Sequence, residues 1–523
     1  MTPGCRPKID PVEHGNHKQI LHIGNGTEPQ DLDPHIVTGV PEHNIISALL
    51  EGLVAEDPKT LQPIPGVAED WEVSPDGTVY TFDLRKNAQW SNGDPVTAHD
   101  FVFSYKRILA PALGSEYAYM LYVIKNAKDF HKGTITDFLQ VGIKAMAHDI
   151  LEITLENATP YFLSLLNHYS WFPVHPPTIL KHGRIDERGT KWTRSENFVG
   201  NGPFVLDTWK INDMIIVKKN ETYWDADNVR LNAIHFHPIE DERTEERAFR
   251  SGQLHITGSV PLSKIEVYKE KKPDLIKIST FLGTYFYRIN VHRPPLNDVK
   301  VRRALAMAID REGIVKNVTK GGQQPAYAFT PPDTAGYTTR TRIPSDIHQA
   351  KKLLAEAGYP NGMGFPKIEL LYNTSEGHRT LAQAIQQMWK KDLNINVKLL
   401  NQEWKVYLDT VKQQNYNIAR AGWIGDYVDP NTFLDMFVTD GGNNDTGWSN
   451  PEYDQRIREV AKISNFPQRM EHFQQAETIL LDQTPIIPIY FYTRVYLIQP
   501  NVKGWYENLL DHHPYKYVYL SKK

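Results

Sequence analysis

Charged and aromatic side chains crowd the stretch NYNIARAGWIGDYVDP, which spans residues 415–430. It begins like a strand and then breaks into glycines around one tryptophan, with Arg420 before them. Glycines such as Gly422 let a backbone approach a ligand closely, Trp423 offers an apolar wall, and Asp426 offers a carboxylate to a cation. These residue types in this spacing indicate a candidate ligand-binding site.

The same residues also fit a purely structural role. The stretch can be a strand followed by a tight turn, with a core tryptophan and aspartates that cap the next helix, PNTFLDMF. Asp429 precedes Pro430 and is predicted as the N-cap of that helix. Asp426 lies too early to cap it, and a solvated turn aspartate is the alternative to a ligand-binding one.

Signatures of an enzyme are missing from the sequence. It has no HExxH, GxSxG or GxxxxGK[ST] motif. Histidine pairs that could bind a metal occur at His14 and His17, at His235 and His237, and at His512 and His513. None has convincing partners, and His235 and His237 fit half-buried imidazoles on one strand face equally well. We predict no catalytic residue, no metal and no cofactor.

Composition excludes several classes of protein. The 523 residues favour two or three domains, and 40% hydrophobic content describes a globular chain. The 58 basic and 62 acidic side chains are mixed along the chain, with a net charge of -4, which argues against nucleic acid as a partner. No apolar run is long enough to span a membrane.

The amino-terminal segment permits two interpretations. MTPGCRPKIDPVEHGNHKQ is polar and lacks the apolar core of a secretory signal, which favours a cytosolic chain. Its PGC nevertheless resembles the end of a bacterial lipoprotein processing site, where the cysteine carries the lipid. Cys5 is the only cysteine, so it is either a possible lipid anchor or a stray surface thiol.

Hydrophobic patterning predicts strands and helices that interleave along the chain, hence a mixed α/β architecture. Predicted strands are QILHIGNG, TVYTFDL, ILEITLEN, GPFVLDTWK, MIIVKKN, LNAIHFHPI, KIELLYN, INVKLLN and IIPIYFY. Predicted helices include PEHNIISALLEGLVAED, DPVTAHDFVFSYKRIL, YFLSLLNHY, DERTEERAFRSG, DVKVRRALAMAID, DIHQAKKLLAEAG and GHRTLAQAIQQMWKKDL. Aromatic runs at residues 285–287 and 490–492 send half of their side chains into a core, and the rest could line a cleft.

Several segments resemble one known family in family order. The most specific are PGVAEDWEVSPDGTVYTFDLRKNAQWSNGDPVTAHDFVFSYKRI and ARAGWIGDYVDPNTFL; RPPLNDVKVRRALAMAIDR, AKKLLAEAGYP, LLYNTSEGHRTLA and NQEWKVYLDT also match. On these segments, the chain resembles the family 5 extracellular solute-binding proteins, and within them the oligopeptide-binding proteins of ABC importers.

The resemblance implies a two-lobed clamshell of the type II periplasmic binding proteins, with an additional third domain. The implied division is a polar tail at 1–19, lobe I at 20–51, 180–282 and 494–523, the extra domain at 52–179, and lobe II at 283–493. In this family an extended peptide lies between the lobes, with its backbone paired to protein strands.

The resemblance also implies roles for individual residues. Asp426 matches the aspartate that holds the α-ammonium of the peptide, and Arg420 and His378 match residues that can meet its carboxylate. The remaining candidate ligand-binding residues are Trp423, Trp404, Tyr117, Val40, Tyr492, Gly422 and Thr38.

Some positions depart from the family pattern. Thr38 stands where well-known members have a cleft acid, Val411 where they have an arginine, and Thr319 where they have a lysine, with Lys320 adjacent. Their disulfide pair is replaced by Gly283 and Ile424, in line with the single cysteine.

We therefore expect an extracytoplasmic protein, periplasmic or at the cell surface, that captures oligopeptides for an ABC transporter. Its expected partners are a peptide and an importer permease, and it is expected to be a monomer. Alternatives are a receptor for a narrower ligand, such as a murein peptide, a dipeptide or a signalling peptide, and a peptidase that uses the same cleft.

Overall fold

The computed structural model describes residues 10–463 and 465–521. Cys5, and with it the predicted lipid anchor, lies outside the described residues. Within the described ranges, no helix combines the length and the apolar character that crossing a membrane requires.

Residues 10–182 contribute one strand to a first sheet and build a second sheet of their own. Their helices and strands are α1 (Pro11–Lys18), β1 (Ile20–Gly24), α2 (Val40–Leu49), β2 (Val54–Glu56), β3 (Pro63–Pro65), β4 (Ala68–Val73), β5 (Val79–Leu84), α3 (Ala98–Leu109), α4 (Ala127–His131), β6 (Ile143–Ala145), β7 (Ile150–Thr154), α5 (Phe162–Leu165) and α6 (Pro176–His182). The second sheet is antiparallel, in the order β4-β5-β7-β6. Tyr80, Phe82 and Leu84 of β5 are buried, as their alternation predicts.

The next part of the chain completes the first sheet. Its elements are β8 (Phe204–Lys210), β9 (Met214–Lys219), β10 (Ala233–His237), α7 (Glu242–Arg250), α8 (Leu262–Lys271) and β11 (Ile276–Ile289). Strands β1, β10, β9 and β8 form this sheet in that order, and β1 runs parallel to β10.

A six-stranded sheet lies in the last part of the chain. The elements there are α9 (Val299–Met307), α10 (Arg311–Gly313), β12 (Gln324–Pro325), α11 (Ile347–Glu356), β13 (Ile368–Asn373), α12 (Glu376–Leu393), β14 (Val397–Gln402), α13 (Trp404–Lys412), β15 (Ile418–Ile424), α14 (Asn431–Leu434), α15 (Pro451–Val460), α16 (Phe466–Gln483), β16 (Ile486–Leu497), β17 (Val502–Lys503) and β18 (Tyr519–Leu520). The strand order is β12-β16-β11-β15-β13-β14. The central strands carry Tyr285, Phe286 and Tyr287, which are at most 1% exposed. Both faces of this sheet are covered, so alternation does not separate core from cleft here.

Three segments differ in detail from their predictions. The predicted helix PEHNIISALLEGLVAED ends at Leu49, and residues 54–56 of it form strand β2. The part of the predicted polar tail that is described contains α1, whose first turn is capped by the Asp10 carboxylate through the amides of Val12 and Glu13. The predicted helix YFLSLLNHY ends after one turn, at Leu165. The chain then turns and places His168 in a different environment.

Strands β11 and β16 form a long antiparallel ribbon that joins two hydrophobic cores. At one end, Ile276 and Leu497 pack into a core with residues of α7 and α8. At the other end, Tyr285 and Tyr287 belong to the core of the six-stranded sheet. The register of the ribbon shifts between Thr280 and Thr284.

Candidate functional site

Strand β15 carries three of the candidate residues through the middle of the six-stranded sheet. It pairs with β11 along its whole length, but its ladder with β13 stops at Ala419. In the ladders of the described chain, residues 420–424 therefore have a strand partner on one edge only. Arg420 and Gly422 point to one face and Trp423 to the other. Such an edge can pair with the backbone of an extended ligand.

Asp426 lies in the turn directly after β15, and neutral groups orient its carboxylate. The Tyr117 hydroxyl donates to Oδ1 at 3.4 Å, and the Thr432 hydroxyl donates to Oδ2 at 3.3 Å. Thr432 also accepts from the Asp426 amide at 2.9 Å. The side chain is only 10% exposed, and this burial raises the pKa of Asp426 to about 7.

His168 is the third polar neighbour of Asp426. Its Nε2 lies 3.5 Å from Oδ1. Burial, with His43 and His512 nearby, holds the pKa of His168 well below its ordinary value, so the ring is neutral. The Ser170 amide donates to Nδ1 at 3.3 Å, which leaves the proton on Nε2, facing Asp426. In the described chain, the side chains in contact with Asp426 are therefore neutral, whereas the charge of His512 acts on it from a greater distance. Asp426 can accept a cation.

Arg420 forms the opposite charge of the site and is likewise held by neutral groups. Its Nη2 donates to the Tyr492 hydroxyl at 2.9 Å, and its Nη1 donates to the Asn373 amide oxygen at 3.3 Å. The guanidinium carbon lies 5.0 Å from the centre of the Tyr285 ring, a cation–π distance. His378 reaches the same cluster, with Nδ1 3.5 Å from the Tyr285 hydroxyl. Burial first, and then the charge of Arg420, hold the pKa of His378 well below its ordinary value.

Gly422 lies directly beneath Tyr492 and Arg420. A Cβ at this position would lie 2.5 Å from the Tyr492 hydroxyl and 3.2 Å from Nη2 of Arg420. We expect Gly422→Ala to separate these two side chains and lower the free energy of unfolding by about 1–3 kcal/mol, measured by urea denaturation. Gly377→Ala is the control, because its nearest atom would lie at 3.5 Å. Equal urea midpoints for the two variants would contradict this packing.

Trp423 faces away from Arg420 and belongs to the Asp426 side of the site. It is 8% exposed, its Nε1 donates to the Thr432 carbonyl at 2.6 Å, and its ring lies 6.5 Å from that of Tyr117. Tyr117 follows α3 and lies 309 residues before Asp426 in the chain. The site is therefore assembled across two separate parts of the fold.

A third part of the fold approaches from the start of α2. A Cβ on Gly39 would lie 3.4 Å from the Trp404 ring, so Trp404 packs against the backbone between Thr38 and Val40. Thr38 is half-buried, whereas Val40 is 50% exposed. Nearby, burial raises the pKa of Glu42 to about 7. Val40 therefore lies at the rim of this contact and not within it.

Asp429 has a structural position that the sequence analysis described incompletely. The helix begins at Asn431 and has Pro430 at its N-cap position, so the predicted cap is wrong by one residue. Its Oδ1 does accept from the Asn431 amide at 2.9 Å. Both carboxylate oxygens also bind Arg469, each at 2.7 Å, and both side chains are buried.

The structure shows the surroundings of several positions that depart from the family pattern. Gly283 and Ile424 are direct partners in the ladder between β11 and β15, as replacement of a disulfide pair requires. Val411 is 3% exposed and packs in a small core with Tyr407, so it presents no polar group. Lys320, next to Thr319, pairs with Glu266 at 3.0 Å.

Sequence reasoning missed two residues of the candidate site, His168 and Thr432, and named Tyr285 only within an aromatic run. His168 and Thr432 carry no motif. No group of three or more metal-ligating side chains suited to a metal occurs in the parts of the chain that the structure covers. His235 and His237 are half-buried and lie beside His22, with one nitrogen of His237 3.2 Å from His22 Nδ1.

Known proteins show close similarity along nearly the whole chain. The model of the family described as bacterial extracellular solute-binding proteins, family 5 middle, matches residues 62–445. The periplasmic oligopeptide-binding protein OppA of Salmonella typhimurium is 40% identical over 517 residues, which cover 97% of this chain and 93% of that protein.

Solved structures share the fold. The structure of Haemophilus influenzae OppA in complex with the peptide RPPGFSPFR matches with a TM-score of 0.90 and 36% identity, covering 97% of this chain and 99% of that one. The murein tripeptide-binding protein MppA in its unliganded open form matches with a TM-score of only 0.64, at 36% identity and 97% and 98% coverage. The lobes of this chain are therefore arranged as in the peptide complex rather than as in the open form.

These matches confirm the predicted fold, the two-lobed α/β clamshell of periplasmic binding proteins with an additional domain. They also confirm that the chain is a solute-binding protein and not an enzyme. The chain belongs to family 5 of the bacterial extracellular solute-binding proteins.

Proposed function

We propose that the protein captures oligopeptides outside the cytoplasmic membrane for delivery to an ABC importer. One observation carries the proposal: in the described chain, the edge of β15 beyond Ala419 has no strand partner, and it lies between a buried carboxylate and a buried guanidinium, both held by neutral groups. The Arg420 carbonyl accepts from the Tyr407 hydroxyl, which leaves the residues after Arg420 for a ligand backbone. The six residue steps from Arg420 to Asp426 span at most about 22 Å when extended. Opposite charges at this separation suit the free termini of a short peptide whose backbone pairs with the strand.

In this proposal Asp426 binds the α-ammonium, and Arg420 and His378 lie towards the carboxylate. Trp423, Tyr117, Trp404, Tyr492, Thr38 and Val40 would form walls and rim, and Gly422 would admit Tyr492. The similarity to OppA proteins, one of them in complex with a peptide, supports these assignments.

The experiment that tests the proposal compares two peptides by calorimetry. Tetra-alanine is expected to bind, and N-acetyl-tetra-alanine is expected to bind at least about 30-fold more weakly, because acetylation removes the ammonium that Asp426 would pair with. Equal affinities, or no binding of several unmodified peptides, would overturn the proposal.

A narrower ligand is the second candidate. Thr38 and Val411 replace polar side chains of the family pattern, and the chain also matches the murein tripeptide-binding protein MppA. Mass spectrometry of ligand that is purified with the protein separates the two cases. A broad receptor is expected to yield a mixture of peptides, whereas a narrow one yields a single mass.

The domain boundaries given above remain our proposal, and two of the three larger sheets support it. The sheet of β4 to β7 lies within 52–179, and the sheet of β1, β8, β9 and β10 lies within 20–51 and 180–282. We also propose a monomer that works with a membrane permease, in the periplasm or at the cell surface. Cys5 would be its lipid anchor.

Peptide binding is expected to weaken as the pH falls below about 7. The pKa of Asp426 is about 7, so at lower pH the carboxyl must lose its proton before it can pair with an ammonium. Calorimetry at pH 6 in two buffers with different ionisation enthalpies is expected to show release of close to one proton per peptide.

A second buried carboxyl provides the control for this measurement. Burial also raises the pKa of Glu245 to about 7, but Glu245 accepts from the Gly258 and Ser259 amides and does not contact Asp426. Glu245→Gln is expected to leave the proton release unchanged. Identical binding heats in the two buffers at pH 6 would contradict the role given to Asp426.

A further inference from the structure

A cavity lies beside the proposed binding site. It has a volume of about 430 Å³ and lies between residues 115–165 and residues 427–461. Neither Asp426 nor Arg420 lines it. Tyr427, the residue after Asp426, forms part of its wall. Tyr119 also lines it, and the Tyr119 ring lies 6.1 Å from that of Tyr117, which donates to Asp426.

Tyrosine rings face the cavity from both of its sides. Tyr161 and Tyr427, one from each side, stack on each other with their centres 5.2 Å apart and their planes 7° from parallel, and the Arg469 guanidinium lies 5.1 Å from the Tyr161 ring. Tyr119 and Tyr122 add two further rings from the first side. The faces of aromatic rings carry negative partial charge and attract cations.

The carboxylate of Asp435 lines this cavity. Its Oδ2 accepts from the side-chain amide of Asn431 at 2.9 Å, whereas its Oδ1 is buried and has no hydrogen-bond partner in the part of the chain that is described. Burial, with Asp426 and Asp429 nearby, raises the pKa of Asp435 well above its ordinary value. A buried acceptor of this kind is costly unless a donor meets it.

The other acidic groups that line the cavity are already engaged or lie at its rim. Glu116 pairs with Lys412 at 3.1 Å, and Asp454 accepts from the Thr439 amide at 2.9 Å. Exposed charges at the mouth have both signs: Lys128, Lys132 and Arg458 are basic, and Glu156 and Asp440 are acidic. Asp435 is therefore the lining carboxylate that keeps a buried oxygen available.

We propose that this cavity binds an organic cation, an ammonium or guanidinium on an alkyl stem, with Asp435 as its counter-ion and the tyrosine rings around the stem. Two sources can supply this group. It is either the side chain of a bound peptide, next to the α-ammonium on Asp426, or a free alkylamine. The first source rests on the proposed peptide-binding function, and the second does not.

The first experiment compares two tetrapeptides by calorimetry, Lys-Ala-Ala-Ala and norleucine-Ala-Ala-Ala, whose first side chains differ in the charged group. The lysine peptide is expected to bind about tenfold more tightly to the unmodified protein. Asp435→Asn is expected to bring the ratio close to one while leaving the affinity for the norleucine peptide within about threefold. Asp440→Asn removes an exposed carboxyl at the mouth and is expected to leave the ratio unchanged.

The second experiment titrates agmatine into the unmodified protein and into Asp435→Asn, without peptide. Saturable binding that the substitution removes supports a free cation as occupant, whereas a lysine preference without agmatine binding supports the peptide side chain. Equal ratios in the unmodified protein and in Asp435→Asn, together with no agmatine binding, would overturn the inference while peptide binding itself stands. If neither peptide binds, the proposed function fails, and agmatine alone decides for or against the cavity.

Discussion

Replacing Asp426 by asparagine is expected to weaken binding of a peptide with a free amino terminus by about 2–5 kcal/mol, roughly 30-fold to several thousandfold. The substitution keeps the size of the side chain and its contacts with Tyr117 and Thr432, but removes the charge that would face the ammonium. A charge pair at about 4 Å contributes on the order of 4 kcal/mol at an effective dielectric constant near 20, before desolvation is subtracted. Calorimetry with tetra-alanine measures the loss.

The matched control for this prediction is N-acetyl-tetra-alanine. It carries no ammonium, so its weak affinity is expected to be the same in the unmodified protein and in Asp426→Asn. Unchanged affinity of the variant for tetra-alanine would contradict the proposal that Asp426 binds the α-ammonium.

The same variant separates binding from folding. Burial raises the pKa of Asp426 from 3.8 to about 7. The free energy of unfolding therefore falls as the pH rises from about 4 to 7, because the folded protein binds the Asp426 proton more tightly than the unfolded chain does. Above pH 7 the folded peptide-free protein holds this buried charge at a cost. Asp426→Asn is therefore expected to raise its free energy of unfolding at pH 8 by about 1–3 kcal/mol.

Replacing Arg469 by methionine is expected to lower the free energy of unfolding by about 3–5 kcal/mol, whereas Asp426→Asn weakens peptide binding and stabilises the fold. Asp429 binds Arg469 through both oxygens, and each residue is 6% exposed. Removal of the arginine leaves a buried carboxylate without its counter-ion. Urea denaturation measures the effect, and the affinity for peptide is expected to stay within about threefold at temperatures where the variant is folded.

Two variants make this prediction specific to the buried pair. Replacing both partners, in Asp429→Asn with Arg469→Met, is expected to recover most of the lost stability, because no unpaired charge remains. Arg340→Met breaks an exposed pair with Glu471, which lies on α16 together with Arg469. This substitution is expected to lower the free energy of unfolding by less than about 1 kcal/mol. If Arg469→Met costs no more than Arg340→Met, the pair does not stabilise the fold.

Local pattern accounts for much of the fold and for part of the site. Strands such as β5 and β15 follow from alternation, and the long helices α9, α11 and α12 follow from helical spacing. The glycines and aromatic residues around Asp426 predict a candidate ligand-binding site, and the structure gathers Tyr117 and Thr432 at this carboxylate. The match to family segments supplied the clamshell, which periodicity alone did not predict.

Contacts between residues far apart in the chain could not be predicted from the sequence. Asp429 was predicted to cap a helix, but its main partner, Arg469, is 40 residues away and carries no motif. His168 was placed on a helix that in fact ends at Leu165, and its contact with Asp426 depends on how two parts of the fold meet. Burial of this kind, which raises the pKa of Asp426 and lowers that of His168, is a property of the assembled site.

The ribbon of β11 and β16 has a mechanical consequence. It runs from one hydrophobic core into another, and its ladder is interrupted between Thr280 and Thr284. We expect any bending of the ribbon to concentrate at this interruption, because ladder hydrogen bonds hold the paired segments on either side. We therefore expect the work of separating the lobes to fall on the contacts that cross between them, such as Trp404 against Gly39 and Tyr117 against Asp426. Those contacts would then set the residence time of a ligand. The ribbon would keep the two lobes connected in the same relative orientation.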